Sequence, residues 1–180
     1  MKTNWFEKDG VVYFDIVLKY VTPNELIKDF KSKGIKISND AQRILRSKKF
    51  DEVSGIETNC RVAVLKSRTE GIVYGMRMQE VKEVKIEERK LENLNFSSLE
   101  IALVILTTFS KEEAKKWGLS HIVIMHDSGY NYNMRTSECL CVIYENEYNP
   151  DMPPYIGTYY TDNDYGTSND DGFAFIFDGK

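Results

Sequence analysis

Residues 22–46 read TPNELIKDFKSKGIKISNDAQRILR and predict two short helices separated by a glycine. Thr22 and Glu25, three residues apart, form a capping box that predicts the start of the first helix. Gly34 suits the left-handed conformation that commonly ends a helix. Ser38 can cap a second helix, whose apolar residues recur at helical spacing. We therefore predict a helical pair near the N-terminus.

Apolar runs on both sides of this pair predict strands. Asp9-Gly10 is a turn signal, so we expect either a hairpin or a strand preceded by a turn. Residues 80–92 fit a strand or an exposed helix, and we favour a strand to about residue 86. The other predicted strands are Val11–Leu18, Cys60–Lys66, Ile72–Met78, Ile122–Met125, Cys139–Tyr144, Ile156–Tyr160 and Phe173–Phe177.

The run Leu99–Phe109 is apolar and rich in β-branched residues, which favours a buried strand, although its length also allows a helix. Ser110 and Glu113 form a second capping box, which predicts a helix ending at Gly118.

Together these elements predict one α+β domain over residues 1–180. We expect a largely antiparallel sheet of about five to eight strands, an N-terminal helical pair and one further helix. A sub-division into a helical region, 1–58, and a mainly β region, 59–180, is the alternative.

The composition excludes several classes of protein. The chain is 42% hydrophobic and 29% charged, which is typical of a soluble globular protein rather than a disordered or fibrous one. Its longest apolar run, Ile101–Leu106, is too short to span a bilayer, so we expect no membrane partner. No apolar stretch follows the basic residue near the start, so no secretory signal is expected. Three cysteines, an odd number, disfavour a disulfide framework and favour the reducing cytoplasm.

Charge is distributed unevenly along the chain. Residues 1–120 hold 22 Lys and Arg against 18 Asp and Glu, whereas residues 121–180 hold 2 against 10. Within the first part, residues 28–49 carry eight basic side chains and two acidic ones. This asymmetry predicts a basic surface suited to phosphates and an acidic surface suited to a basic protein or a cation. The alternative is that both are solvated surfaces that keep the protein soluble.

Tyrosine is concentrated in the acidic part of the chain, where residues 130–165 hold eight of the eleven. Tyrosine is enriched at recognition surfaces because it combines a large apolar ring with a hydroxyl group. We therefore predict a non-enzymatic binding protein that uses an acidic, Tyr-rich C-terminal surface on a protein partner. The predicted contact residues are Tyr155, Tyr159, Tyr160, Asp162, Asp164 and Tyr165. A small acidic protein of this kind also fits an accessory factor of a phage or mobile element, including an inhibitor of a host nucleic-acid-binding protein. Alternatively, the tyrosines lie in the core and the acids fill loops.

The helical pair offers a second function. Gly34, the β-branched residues after it and Ser38 resemble the DNA-reading half of arginine-repressor-type winged helices. That resemblance implies that the second helix reads base edges in a major groove. The candidate DNA contacts are Asn39, Gln42, Arg43 and Arg46 for bases, with Lys48 and Lys49 for phosphates. The net charge of −4 counts against nucleic acid, and a capped hairpin that covers the sheet is the structural alternative.

A third function is a hydrolase that uses His126 with Asp127, or Cys139. His126 follows a predicted strand, but the chain contains neither Gly-x-Ser-x-Gly nor His-Glu-x-x-His. A calcium-loop alignment fails because Thr167 takes the first ligand position and a strand follows in place of a helix. We therefore predict no catalytic residue, no cofactor and no metal site.

Two stretches resemble a known group of proteins. The first is a helix–Gly–Ile-Ser–helix module carried by Gly34-Ile35-Lys36-Ile37-Ser38, Ala41, Ile44-Leu45 and Phe50. The second comprises Ile101–Leu106, Glu112–Trp117, Gly118-Leu119 and the closing Phe173-x-Phe175. Through them the chain resembles a scattered family of uncharacterised bacterial hypothetical proteins, a resemblance that implies no activity. The identity of the partner and the oligomeric state do not follow from the sequence.

Overall fold

The structure is a computed structural model that describes residues 5–18, 22–46, 58–66, 94–95, 99–126, 129–131, 136–146, 148–160 and 170–177. Within these ranges the helices are α1 (Pro23–Ser32), α2 (Asn39–Leu45), α3 (Ile101–Thr108) and α4 (Lys111–Lys116). The strands are β1 (Trp5–Lys8), β2 (Val11–Leu18), β3 (Thr58–Lys66), β4 (Leu94–Asn95), β5 (His121–Ile124), β6 (Gly129–Asn131), β7 (Thr136–Ile143), β8 (Tyr155–Tyr160) and β9 (Asp171–Phe177). The predicted strand Ile72–Met78 and the ambiguous residues 80–92 lie outside the described residues.

The described strands form one mixed sheet with the continuous order β1-β2-β3-β9-β5-β7-β6. The late strand β9 lies between β3, to which it is antiparallel, and β5, to which it is parallel. β4 pairs with the last residues of β9. β5 and β6 pair with successive parts of β7, and β8 pairs along the opposite edge of β7.

This architecture shows that the predicted fold class, an α+β domain with a largely antiparallel sheet, a helical pair and one further helix, is wrong. The sheet is mixed because β9 inserts beside β5 in parallel. Residues 101–108, which we expected to form a strand, are helix α3, so a second helix precedes the predicted one. Short apolar runs of this kind fit a buried helix and a buried strand equally well.

The predicted N-terminal helical pair is likewise not a self-contained unit. The segment between α1 and α2 is extended and bonds to the edge of β8 that faces away from β7. The Ser38 N–H donates to the Ile156 carbonyl (2.9 Å), and the Ile156 N–H donates to the Lys36 carbonyl (3.0 Å). The buried side of α2, formed by Ala41, Ile44 and Leu45, joins the core cluster that contains the β7 and β8 residues Leu140, Val142 and Ile156. The segment between the two helices is therefore attached to β8, and α2 packs on the β7 and β8 side of the sheet.

The turn signal and the two capping boxes of the sequence form the turn and the helix starts that they predict. Asp9 and Gly10 have φ angles of 53° and 72°, which make the two-residue turn of the β1–β2 hairpin. Both side chains of the Thr22–Glu25 box make their reciprocal bonds, as do those of Ser110 and Glu113. None of the helices in the described ranges has the length and the hydrophobicity needed to cross a lipid bilayer.

The core is divided between the two faces of the sheet. The helices α1 to α4 all contribute to one cluster, which packs on a single face. Phe109 lies at its centre, and its ring meets those of Trp5, Phe14 and Tyr144 edge-on at 5.5, 5.6 and 6.2 Å. The second cluster lies on the opposite face and is built from alternate residues of β2, β3, β5, β7 and β9.

Candidate functional site

The tyrosines predicted to contact a partner lie on β8, and the structure does not bring all of them together. Tyr155 and Tyr159 share one face of the sheet, whereas Tyr160, next to Tyr159 in an extended strand, points to the other. All three are half-buried. The other three predicted contacts, Asp162, Asp164 and Tyr165, lie outside the described residues.

A more exposed tyrosine lies just before β8, on the connection from β7. We call residues 144–154 the braced loop; residue 147 is outside the described part. The loop is anchored at its start by Tyr144, whose buried hydroxyl donates to the Phe109 carbonyl at 3.1 Å. Burial raises the pKa of this hydroxyl above its ordinary value, so it remains protonated and able to donate.

Hydrogen bonds hold the rest of the braced loop. The Tyr148 N–H donates to the side-chain oxygen of Asn146 at 2.9 Å, which forms an Asx turn. The ammonium of Lys111, on α4, donates to the carbonyls of Pro150 (2.5 Å) and Met152 (3.3 Å). The loop backbone is therefore fixed to the helix next to it.

The braced loop presents its tyrosine to solvent. Tyr148 is 97% exposed, far more than the other exposed large hydrophobic residues of the described chain, Val17 at 44% and Phe6 at 37%. Glu145, Asp151, Pro150 and Pro153 are also exposed. A rigid loop with an exposed ring and two carboxylates is suited to contact a cationic or basic surface.

A buried polar cluster lies at the same end of the sheet. The Tyr159 hydroxyl donates to one carboxylate oxygen of Asp171 at 2.7 Å. The other oxygen of Asp171 lies 3.2 Å from Nδ1 of His121, and both of these atoms are shielded from solvent. Asp171 is only 2% exposed. The cluster joins β5, β8 and β9, and its His121 pairs with Ile143, the residue that precedes the braced loop.

Burial determines the protonation of the cluster's tyrosine, Tyr159, and of the Cys141 thiol on the neighbouring strand β7. It raises the pKa of the Tyr159 hydroxyl above its ordinary value, and the charge of Asp171 raises it further. Burial likewise raises the pKa of the Cys141 thiol well above its usual range, with Asp171 adding to the effect. Tyr159 therefore remains a hydrogen-bond donor, and Cys141 is held as a thiol rather than a nucleophilic thiolate.

The predicted DNA-reading residues lie on α2, and two of them make contacts within the protein. Arg43 forms an ion pair with Glu138 on β7, whose side chain is 1% exposed. Burial alone would lower the pKa of the Arg43 guanidinium, but the hydrogen bond and the charge of Glu138 raise it. The Gln42 amide donates to the Ile37 carbonyl at 3.2 Å. Asn39 and Arg46 are exposed. The remaining candidates, Lys48 and Lys49, lie outside the described residues.

The described residues predicted for a hydrolase, His126 and Cys139, have structural positions in the sheet. Nε2 of His126 accepts the backbone N–H of Leu140 at 3.0 Å, in the gap that β5 and β6 leave along β7. An acceptor nitrogen carries no proton, so this bond uses the neutral imidazole. Cys139 is fully buried, and Asp127 lies outside the described residues.

Sequence reasoning did not identify the braced loop as a structural unit, nor the contact between the side chains of His121 and Asp171. The acidic, Tyr- and Pro-rich composition of residues 144–155 was the available signal for the loop. His121 and Asp171 are far apart in the chain and meet because β5 and β9 pair in parallel. Comparisons of the chain with models of protein families, with curated proteins and with solved structures found no match.

Proposed function

We propose that the protein is a non-enzymatic binding protein whose braced loop contacts a basic protein partner. The observation that carries this proposal is the 97% exposure of Tyr148 on a loop fixed by hydrogen bonds. An aromatic ring left in water represents apolar surface that a partner can cover. Tyrosine is also among the residues that contribute most to binding energy at interfaces.

The bracing of the loop supports the proposal independently of the ring. Ordering a flexible loop costs free energy on binding, and a loop that is already fixed avoids most of that cost. Lys111 holds two carbonyls of the loop, and Asn146 fixes the turn that carries Tyr148. The loop is therefore in place before a partner arrives.

Charge supports a basic partner. Glu145 and Asp151 flank Tyr148 and are exposed, and residues 121–180 hold ten acidic side chains against two basic ones. An arginine of the partner can stack on the Tyr148 ring and meet these carboxylates at its edge. DNA recognition by α2 has less support, because Arg43 and Gln42 already make contacts within the protein.

A binding assay with a defined probe tests the proposal. The probe is a short fluorescent peptide rich in arginine and glycine, and its counterpart carries glutamate in place of arginine. We expect the arginine peptide to bind the wild-type protein and the glutamate peptide not to bind. Y148A combined with D151N should weaken binding by about tenfold, because it removes a cation–π contact and a charge-assisted hydrogen bond.

The matched control places the same kinds of change on β1, where Phe6 and Glu7 are exposed at the opposite edge of the sheet. F6A combined with E7Q should leave the affinity for the arginine peptide unchanged. If both double variants bind the arginine peptide as well as the wild type does, the braced loop is not the binding surface.

A further inference from the structure

A row of alternating charges runs along the outer side of α1. Its members are spaced as i, i+3, i+4 and i+8, so they lie on one face of the helix, away from the side that α1 packs on the core. From the N-terminus the signs read minus, plus, minus, plus, for Glu25, Lys28, Asp29 and Lys33. All four line the groove between α1 and α3 and reach solvent. We call these four residues the charge row.

The order of signs in the charge row is self-complementary. Consider a second α1 that runs antiparallel to the first, related by a two-fold axis near residues 28 and 29. Lys33 of the second copy then lies opposite Glu25, and Asp29 of the second copy lies opposite Lys28. The axis repeats both contacts, so every charge meets the opposite sign. The positions match to within one residue, about 1.5 Å along a helix, which a lysine side chain spans. A parallel arrangement would place each charge opposite its own copy, where the two repel.

The contacts that the charge row makes within the chain leave it able to pair with a second copy. Hydrogen bonds from Thr22 lower the pKa of Glu25, so this carboxylate is ionised. Both bonds go to Oε2, which leaves Oε1 to face a lysine. Lys33 pairs with Asp29 at 2.8 Å, but their side chains are 45% and 43% exposed. An exposed pair of this kind contributes little to stability, so both members can exchange partners across an interface.

Apolar surface lies beside the charge row. The groove between α1 and α3 encloses about 580 Å³, and one of its walls is formed by Leu103 and Val104, both half-buried. Helix α3 reads Ile-Ala-Leu-Val-Ile-Leu-Thr-Thr, and a helix that is apolar on nearly every side is usually buried all round. In the antiparallel arrangement, the aliphatic stems of the second copy's lysines can cover this wall. Apolar contact beside paired charges is the usual composition of a protein interface.

We propose that the charge row is the interface between two copies of this chain, which join through antiparallel contact of their α1 helices. The order of signs supports a second copy as the partner, because an unrelated protein would need the complementary signs at the same spacing. The braced loop takes no part in this interface, so the dimer and the proposed function are tested separately.

Sedimentation equilibrium of the full chain tests the proposal with two single substitutions near the two-fold axis. K28E places a negative charge opposite Asp29 of the second copy, and D29K places a positive charge opposite its Lys28. Because the symmetry repeats each repulsion, either variant alone should dimerise about tenfold or more weakly than the wild type. An equal mixture of K28E and D29K restores opposite charges at every contact, so we expect a mixed dimer about as strong as the wild-type dimer.

Lys31 provides the matched control, because it is exposed on the same helix but does not line the groove. K31E should dimerise as the wild type does, and circular dichroism checks that each variant is folded. A wild-type protein that stays monomeric at its highest soluble concentration overturns the proposal. It is also overturned if K28E dimerises as strongly as the wild type, or if the mixture dimerises no better than K28E and D29K do separately.

Discussion

The ion pair between Arg43 and Glu138 makes a strong prediction about stability. Glu138 is 1% exposed, so R43M removes the guanidinium that pairs with a buried carboxylate. Breaking a fully buried pair costs roughly 3–5 kcal/mol. The Arg43 side chain is 48% exposed, which weakens the pair through solvent screening, and we therefore expect a loss of about 2–3 kcal/mol.

Urea unfolding followed by circular dichroism measures this loss, and the chain provides its own control. Arg46, one turn further along and exposed, makes no ion pair with the described residues. R46M should therefore change the free energy of unfolding by about 0.5 kcal/mol or less. Replacing both members of the pair, as R43M with E138M, should recover most of the loss, because the buried carboxylate is removed together with the guanidinium that pairs with it.

Two results would refute this reasoning. One is that R43M costs no more than R46M, which would make Arg43 available for another role such as DNA binding. The other is that the loss of unfolding free energy in the double variant equals the sum of the losses in R43M alone and E138M alone. That result would mean that the two side chains are not coupled.

Three further predictions concern the network around the loop and the sheet. Y159F removes the hydrogen bond to buried Asp171 and should cost about 1.5–3 kcal/mol near neutral pH. Folding raises the pKa of Tyr159 above the value of about 10 that a tyrosine has in the unfolded chain. The stability that Tyr159 contributes to the fold is therefore fully present below about pH 10 and is lost as the pH rises further. The difference between wild type and Y159F in urea unfolding should therefore shrink above about pH 10, and a constant difference would contradict this. H126A leaves the Leu140 N–H unsatisfied and should cost about 1–3 kcal/mol, measured by thermal unfolding, whereas no loss would mean that the bond is not structural. K111M removes the donor that holds the loop carbonyls and should weaken binding of the arginine peptide while Tyr148 is intact, and full affinity would show that bracing is irrelevant.

The parts of the fold that depend on neighbouring residues could be predicted from the sequence. The two capping boxes and the Asp9-Gly10 turn each depend on side chains within a few positions of one another. The Ile101–Leu106 run could not be assigned, because an element apolar on all sides shows neither the helical nor the strand period. In the structure it is a helix, with Ile101, Ala102 and Ile105 buried in the core cluster on the sheet.

The candidate sites depend on pairings across long stretches of chain. Arg43 meets Glu138 because α2 packs against β7, and His121 meets Asp171 because β9 inserts beside β5. Neither partner can be identified from local spacing. The concentration of tyrosine and acid in the C-terminal part was visible in the sequence, but the exposure of Tyr148 depends on how the loop is held.

Site-specific photo-crosslinking at Tyr148 in the native host cells tests the proposed binding surface most directly. A photoreactive phenylalanine analogue replaces Tyr148 in one strain and Phe6, on the opposite edge of the sheet, in another. We predict a covalent adduct with a protein that has a basic surface from position 148 and none from position 6. No adduct from position 148, or the same adducts from both positions, would contradict the account.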